Sequence, residues 1–114
     1  MDSLTHLLDV DELEAAIAES RERPVLVFKH SRTCGISCEA LDELREHLQR
    51  PAAAAYRLIT VQRHRRLSDE AAARLGIRHE TPQAILLRNG RPVWNASHFR
   101  ITAKQLDQVL GRTA

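Results

Sequence analysis

The chain has 114 residues, of which 43% are hydrophobic and 28% charged, with a formal net charge of +2. This size and balance fit one domain over residues 1–114, which can bury a core without disulfides or a structural metal. The small net charge argues against nucleic acid as a partner, because nucleic-acid binding needs a broad basic face. No stretch approaches the roughly 20 apolar residues of a membrane span.

The N-terminus and the cysteines indicate a reducing compartment. Residues 1–4 lack the basic start and apolar run of a secretory signal, so we expect a cytoplasmic protein. Two cysteines four residues apart in such a protein are more often redox or metal groups than a structural bridge.

The sequence predicts that helices and strands alternate through the first two thirds of the chain. After a lead-in of about ten residues, Asp9 starts a capping-box-like helix that runs to about residue 21. The apolar run 25–28 predicts a strand buried on both faces, and a polar turn leads to a helix with an apolar stripe over 36–48. A second strand is predicted over 56–61.

The last third begins with a short helix and then changes pattern. Ser68 is predicted to cap a helix over 69–75. A strand at 84–87 is followed by Asn89-Gly90, a strong two-residue hairpin turn. The returning strand, 92–96, contains Pro92, which suggests a sheet edge because proline cannot donate to a ladder. Thr102 is predicted to cap the final helix.

The predicted order is α-β-α-β-α-β-β-α. The early alternation requires parallel strands with crossover helices, and the hairpin adds an antiparallel pair. We therefore expect an α/β, thioredoxin-like fold, with a central mixed sheet of about four strands flanked by helices and an N-terminal helix extension.

Cys34 lies where the first buried strand passes into a helix. The first N–H groups of a helix lack intrahelical partners and carry partial positive charge, so we expect the pKa of a thiol there to fall below about 8.5. Lys29, His30 and Arg32 can add to this effect. The polar surroundings favour a redox cysteine over a buried cysteine that acts as a small hydrophobe.

Cys38 follows four residues later, on the same helix face. It is either a resolving thiol, which attacks a mixed disulfide on Cys34, or a passenger. A zinc site is a third alternative, with Cys34, Cys38 and His30 as ligands and the distant His79 or His98 as a fourth. Structural zinc sites usually show two compact ligand pairs, and only one pair is visible here.

His30 and Pro82 are the other candidate site residues. His30 either helps Cys34 to ionise or is hydrogen-bonded to backbone at its strand end. Pro82 begins a strand that faces the cysteine loop in this fold, and X–Pro bonds are the only ones commonly cis. A cis bond would turn the Thr81 backbone outward to pair with an extended substrate beside Cys34. The alternative is a trans proline that simply starts a strand.

The segment 28–37, with the sequence Phe-Lys-His-Ser-Arg-Thr-Cys-Gly-Ile-Ser, resembles the active-site segment of the monothiol bacilliredoxins. These are thioredoxin-like proteins of the bacillithiol redox system. The segments 79–84 and 94–102 resemble later blocks of that family in the same order. The resemblance covers nearly the whole chain from Leu13 onward.

The resemblance implies that Cys34 removes bacillithiol, or another low-molecular-weight thiol, from S-thiolated proteins and takes it up as a mixed disulfide. A low-molecular-weight thiol then regenerates Cys34, so the small thiol is a co-substrate and no resident cofactor is expected. Thr33, Gly35, Thr81 and Pro82 are the expected substrate-binding residues.

Two positions depart from the pattern of the family. Gly35 stands where members often carry proline, so the helix start and the thiol pKa can differ. Cys38 stands where a second cysteine is not expected, which opens dithiol chemistry. A second hypothesis, from another functional class, is a non-catalytic thioredoxin-like module that binds an extended peptide in the Thr81-Pro82 groove.

Overall fold

A computed structural model of the chain describes residues 4–33 and 35–111. Five strands form one sheet, in the spatial order β1-β3-β2-β4-β5. They are β1 (Leu4–His6), β2 (Val25–His30), β3 (Ala55–Thr60), β4 (Gln83–Arg88) and β5 (Arg91–Ser97). β2 pairs in parallel with β3, and β3 in parallel with β1, whereas β4 runs antiparallel to β2 and β5.

The helices are α1 (Val10–Glu19), α2 (Gly35–Leu48), α3 (Arg65–Leu75) and α4 (Ala103–Val109), with a 3₁₀ turn at His98–Arg100. Within the two described ranges, no helix is long and apolar enough to cross a membrane. The predicted order of helices and strands is confirmed from α1 to α4.

The sheet separates two hydrophobic clusters, because successive side chains of a strand point to opposite faces. Val25 and Val27 of β2 pack in the cluster that contains the buried residues of α1 and α3. Leu26 and Phe28 pack in the cluster on the other face, with α2 and α4. The central strand is therefore covered on both sides, as its continuous apolar run predicted.

Local capping signals place two helix starts. The Asp9 side chain accepts a hydrogen bond from the Glu12 amide at 2.8 Å, and the Glu12 carboxylate accepts one from the Leu8 amide at 2.7 Å. The Thr102 hydroxyl accepts a hydrogen bond from the Gln105 amide at 3.1 Å. Both predicted caps are confirmed, and each satisfies an amide that the helix itself leaves unpaired.

The hairpin turn is also confirmed. Asn89 and Gly90 both have positive φ, 55° and 81°, as a two-residue turn of this kind requires. Ser20, at the end of α1, fixes the turn: its carbonyl accepts from the Asn89 amide and its hydroxyl from the Gly90 amide. A Cβ at Gly90 would lie 2.9 Å from Nη2 of Arg21. β5, which carries Pro92, is an edge strand as predicted.

The prediction for the N-terminal segment was wrong. Residues 4–6 form an edge strand parallel to β3, so the sheet has five strands and the N-terminal extension is a strand plus a helix. The Leu7 amide donates to the Leu58 carbonyl at 2.8 Å, and the Leu7 side chain is buried. Backbone bonding to β3 holds a segment that is too short to show an alternating pattern.

Two other boundaries differ from prediction. α3 begins at Arg65, after a turn in which the Thr60 carbonyl accepts from the Arg63 and His64 amides. Ser68 is therefore a buried residue inside the helix and does not cap it. β2 continues through His30, so Lys29 and His30 are buried strand residues where a polar turn was expected.

Candidate active site

The side chain of Gln62, which follows β3, holds the loop between β2 and α2. Its amide nitrogen donates to the hydroxyls of Ser31, at 2.8 Å, and Thr33, at 3.0 Å. Its carbonyl oxygen accepts from the Arg32 amide at 3.1 Å. Gln62 thus fixes the three residues that precede Cys34. The Thr33 hydroxyl, a predicted substrate-binding group, already has a protein partner.

Ser37, fully buried in the first turn of α2, ties the helix to the end of β2. Its hydroxyl oxygen accepts from the Ser31 amide at 2.9 Å and lies 2.7 Å from Nδ1 of His30. Because the oxygen receives the amide, its own hydrogen is available for Nδ1. The partner of Nδ1 of His30 is therefore a side chain, whereas the alternative prediction was a hydrogen bond to backbone.

His30 is 7% exposed, and its surroundings favour the neutral ring. Burial lowers the pKa of His30, and the nearby positive charges of Arg45 and Arg32 lower it further. A neutral ring that accepts at Nδ1 carries its proton on Nε2. His30 is thus uncharged at neutral pH, and in the tautomer that accepts at Nδ1 its Nε2 is a hydrogen-bond donor.

Cys34 itself lies outside the described residues, as does the predicted proximity of Pro82 to it. It is the residue between Thr33, held by Gln62, and Gly35, the first residue of α2. Cys38 is exposed in the first turn of α2 and is a free cysteine. A Cβ added at Gly35 would meet nothing within 4 Å, so packing does not require glycine there.

On the other face of β2, a polar chain leads from the buried Lys29 to Thr81, which is half-buried. Nζ of Lys29 lies 3.2 Å from the Ser68 carbonyl oxygen and 3.2 Å from Nδ1 of His79. Nε2 of His79 lies 3.2 Å from the Thr81 hydroxyl. If Lys29 donates to Nδ1, His79 carries its proton on Nε2 and donates to Thr81. Through His79, the ammonium group of Lys29 thereby orients the hydroxyl of Thr81, the residue before Pro82.

Burial disfavours the charged form of Lys29. Its side chain is fully buried, and burial lowers its pKa from 10.5 to about 8, although Asp69 opposes the shift. Burial also lowers the pKa of His79, and the Lys29 charge adds to that effect. Lys29 was predicted to help Cys34 to ionise, whereas its ammonium group contacts the Ser68 carbonyl of α3 and His79.

The Thr81-Pro82 peptide bond is cis, and Pro82 is buried directly before β4. The Pro82 carbonyl accepts a hydrogen bond from the His98 amide at 3.1 Å. His98 is exposed, with a positive φ of 56°. These contacts fix the backbone on the C-terminal side of the Thr81-Pro82 pair.

Among residues 4–33 and 35–111, no three His, Cys, Asp or Glu side chains are grouped so that they could hold a metal ion. The zinc hypothesis also used Cys34, which lies outside these ranges. The fold does not bring His79 to His30: the two rings contact residues on opposite faces of β2.

The chain matches the family model of the monothiol bacilliredoxin BrxC over residues 5–106. A solved structure described as a proposed oxidoreductase with a thioredoxin fold is 36% identical and superposes with a TM-score of 0.83. That match covers 93% of this chain and 92% of the other.

Thioredoxins share the fold at lower identity. That of Fasciola hepatica is 14% identical, with a TM-score of 0.75 over 96% of this chain and 99% of its own. A mutant thioredoxin from Halobacterium salinarum is 20% identical, with a TM-score of 0.73 over 95% of this chain and 88% of its own. The predicted fold class and family resemblance are confirmed: the chain belongs to the monothiol bacilliredoxin family, with a thioredoxin-like fold and a thiol-redox role.

Proposed function

We propose that this protein removes a low-molecular-weight thiol, bacillithiol or a chemical relative, from S-thiolated proteins in the cytoplasm. The observation that carries the proposal is the position of Cys34 in the chain, directly before the first residue of α2. The amides of a helix start stabilise an anion, and the thiolate is the attacking form of cysteine. Membership of the bacilliredoxin family supports the choice of substrate.

The first step is an exchange of disulfides. The Cys34 thiolate attacks the sulfur of the small thiol, and the bond between that sulfur and the target cysteine breaks. The target cysteine leaves as a thiolate and takes up a proton. The number of disulfides is unchanged, and the small thiol is now bound to Cys34.

Two routes return Cys34 to the thiolate. A second small thiol can attack the sulfur of the first, which releases Cys34 and yields the disulfide dimer of the small thiol. Alternatively, Cys38 attacks Cys34, releases the small thiol and forms a Cys34–Cys38 disulfide that an external thiol must reduce. The exposure of Cys38 supports the second route, because an external reductant needs access to the bridge.

His30 and Thr81 are given positioning roles in this proposal. His30, neutral and protonated on Nε2, is a hydrogen-bond donor near the end of β2. Thr81, held through His79 and Lys29, lines the groove in which an extended target peptide lies. Thr33 and Gly35 flank Cys34 and contact the same peptide.

Mass spectrometry of the intact protein tests the reaction. One carrier protein is S-thiolated in turn with bacillithiol, glutathione or cysteine and offered to the reduced protein. We expect Cys34 to gain the mass of the small thiol while the carrier loses it, fastest with the physiological thiol. A protein that binds the carrier yet gains no mass from any of the three is a peptide-binding module instead.

The ionisation of Cys34 is testable by alkylation. Because we expect the helix start to lower the pKa of Cys34, iodoacetamide should label it at pH 6–7 much faster than it labels N-acetylcysteine. The measurement is the labelling rate of the Cys38→Ser variant from pH 5 to 10. A rate that rises only near the ordinary thiol pKa of about 8.5 would contradict an activated thiolate.

A further inference from the structure

A small groove lies between α2 and the 3₁₀ turn at His98–Arg100. One wall is a stripe of α2 whose residues are spaced as i, i+3, i+4 and i+7, from Ile36 to Glu43, and the other is the segment 98–102. The volume of the groove is about 110 Å³. Small-molecule sites usually have roughly 300–1,000 Å³, so this groove fits a single side chain of a larger partner.

Phe99, the most exposed large apolar side chain in the described part of the chain, lines this groove. It is 69% exposed, whereas Phe28 is fully buried. The turn that carries Phe99 is fixed at both ends, because the His98 amide donates to the Pro82 carbonyl at 3.1 Å and the Ile101 side chain is buried in the core. Single exposed apolar residues are common, but an aromatic ring held beside a groove is typical of a docking site.

The acidic and basic residues that line the groove are unequal in number. Glu39 and Glu43 line it, and no Lys or Arg does among the residues that the structure describes. Within residues 4–33 and 35–111, neither carboxylate forms an ion pair, and one oxygen of Glu43 accepts from the Ala103 amide at 2.7 Å. Ile36 adds apolar surface next to these carboxylates. The groove therefore complements an apolar side chain that has a basic neighbour.

We propose that this groove binds the target protein beside its S-thiolated cysteine, and that it selects segments in which an aliphatic residue is adjacent to Lys or Arg. The proposal rests on the proposed function and names the class of target that the site takes. The groove adjoins the Thr81-Pro82 groove, because the His98 amide is bonded to the Pro82 carbonyl. Ile36 is two residues from Cys34 in the chain, a span of at most about 7 Å. A residue two or three positions from the target cysteine is thus within reach of the groove.

The kinetic test uses three peptides, each with one cysteine that is S-thiolated with bacillithiol. The first peptide has Leu two positions and Lys three positions from the cysteine on both sides. The second has Ser in place of Leu, and the third has Glu in place of Lys. Each kcat/KM is divided by the rate of uncatalysed exchange with N-acetylcysteine, which removes the effect of peptide charge on the peptide's own cysteine. We expect the first peptide to react about tenfold faster than the second and about threefold faster than the third.

Two variants separate the apolar and the charged contact. Phe99→Ser should reduce the Leu-over-Ser ratio to about twofold or less, because the ring no longer covers the leucine. Glu39→Gln should lower the Lys-over-Glu ratio and keep the Leu-over-Ser ratio. Val93→Ser on β5 and Glu46→Gln on α2, both exposed, are the matched controls that keep both ratios. Equal rates for the three peptides, or ratios that Phe99→Ser and Glu39→Gln leave unchanged, overturn the proposal.

An NMR titration tests the groove without any chemistry at Cys34. The first peptide, with serine in place of its cysteine, is added to the isotope-labelled protein, and the amide signals of Phe99 and Thr102 should shift more than with the second peptide. If these shifts appear but no thiolated peptide is exchanged, the proposed function fails and the groove is upheld. If all peptides are exchanged at equal rates and no shift appears, the groove fails and the proposed function is upheld. If Phe99→Ser converts a dimer to a monomer in sedimentation, a second copy of the chain occupies the groove, which overturns the proposal.

Discussion

Replacing Cys34 with serine should abolish uptake of the small thiol, whereas Cys38→Ser should leave uptake intact and let the mixed disulfide accumulate. A serine hydroxyl is not ionised at neutral pH and cannot form the disulfide. In the proposed reaction, Cys38 acts only in the release step. Single-turnover mass spectrometry with an S-thiolated carrier separates the two steps, because it counts adduct formed and adduct released.

Helix geometry leads us to expect that a Cys34–Cys38 bridge is strained and easily reduced, so that Cys38 speeds release of the small thiol without holding Cys34 oxidised. Residues four apart on a helix have Cβ atoms about 5–6 Å apart, whereas a disulfide prefers about 3.8 Å. From this spacing we expect the first turn of α2 to loosen when the Cys34–Cys38 bridge forms. Gly35, the first residue of that turn, makes the deformation easier.

Gly35→Ala is the matched test of that step. Alanine should stabilise the first turn by about 0.5–1 kcal/mol, and the space around position 35 is open to a Cβ. Uptake should persist while release through Cys38 slows. If Cys38→Ser turns over at the wild-type rate with no trapped adduct, Cys38 is a passenger and the chemistry is monothiol. If Cys34→Ser keeps activity while Cys38→Ser loses it, the attacking residue is Cys38.

We expect the stability of the wild type to rise with pH between pH 8 and 10.5, and Lys29→Met to remove that rise. In that interval the native protein has lost the Lys29 proton, because burial lowers its pKa to about 8, while the unfolded chain keeps it. The free energy of unfolding therefore increases with pH, by at most about 1.4 kcal/mol per unit. Over the whole interval this amounts to about 3 kcal/mol.

Urea unfolding at half-unit steps from pH 7 to 10.5 measures this effect as the difference between wild type and variant. Taking the difference cancels groups that titrate equally in both proteins. Lys104→Met is the matched control, because Lys104 is the other lysine of the chain and is exposed. A wild-type curve that stays parallel to that of Lys29→Met up to pH 10 would show that the Lys29 proton is not destabilised by folding.

The features that the sequence predicted correctly are set by neighbouring residues. The Asp9 cap, the Asn89-Gly90 turn and the Thr102 cap each need a signal within three or four positions. β1 was missed because it is three residues long and depends on β3, some fifty residues later. Ser68 was misassigned because a capping residue type does not reveal that Thr60 already turns the chain into α3.

The candidate site was predicted less completely, for a related reason. Cys34, Cys38 and Pro82 belong to local motifs. Gln62, which holds the cysteine loop, carries no recognisable signal, because a single exposed glutamine is common in any loop. Arg63 belongs to the short basic run Arg63-His64-Arg65-Arg66, and only the fold brings Arg63 beside Arg45 of α2. The Lys29 side chain points to the α3 face of the sheet because β2 continues to His30, two residues beyond the apolar run 25–28. The apolar run alone did not predict this.

The central position of β2 has a consequence for synthesis of the chain. One neighbour of β2, the strand β4, lies about sixty residues later in the sequence, where Val25 pairs with Leu87. At about 5–20 residues per second, a ribosome needs roughly 3–12 s to deliver that partner. Meanwhile one edge of a strand that begins with four apolar residues has no native partner. The nascent chain therefore has an aggregation-prone interval that ends only with its last third, and protection by a chaperone matters most then.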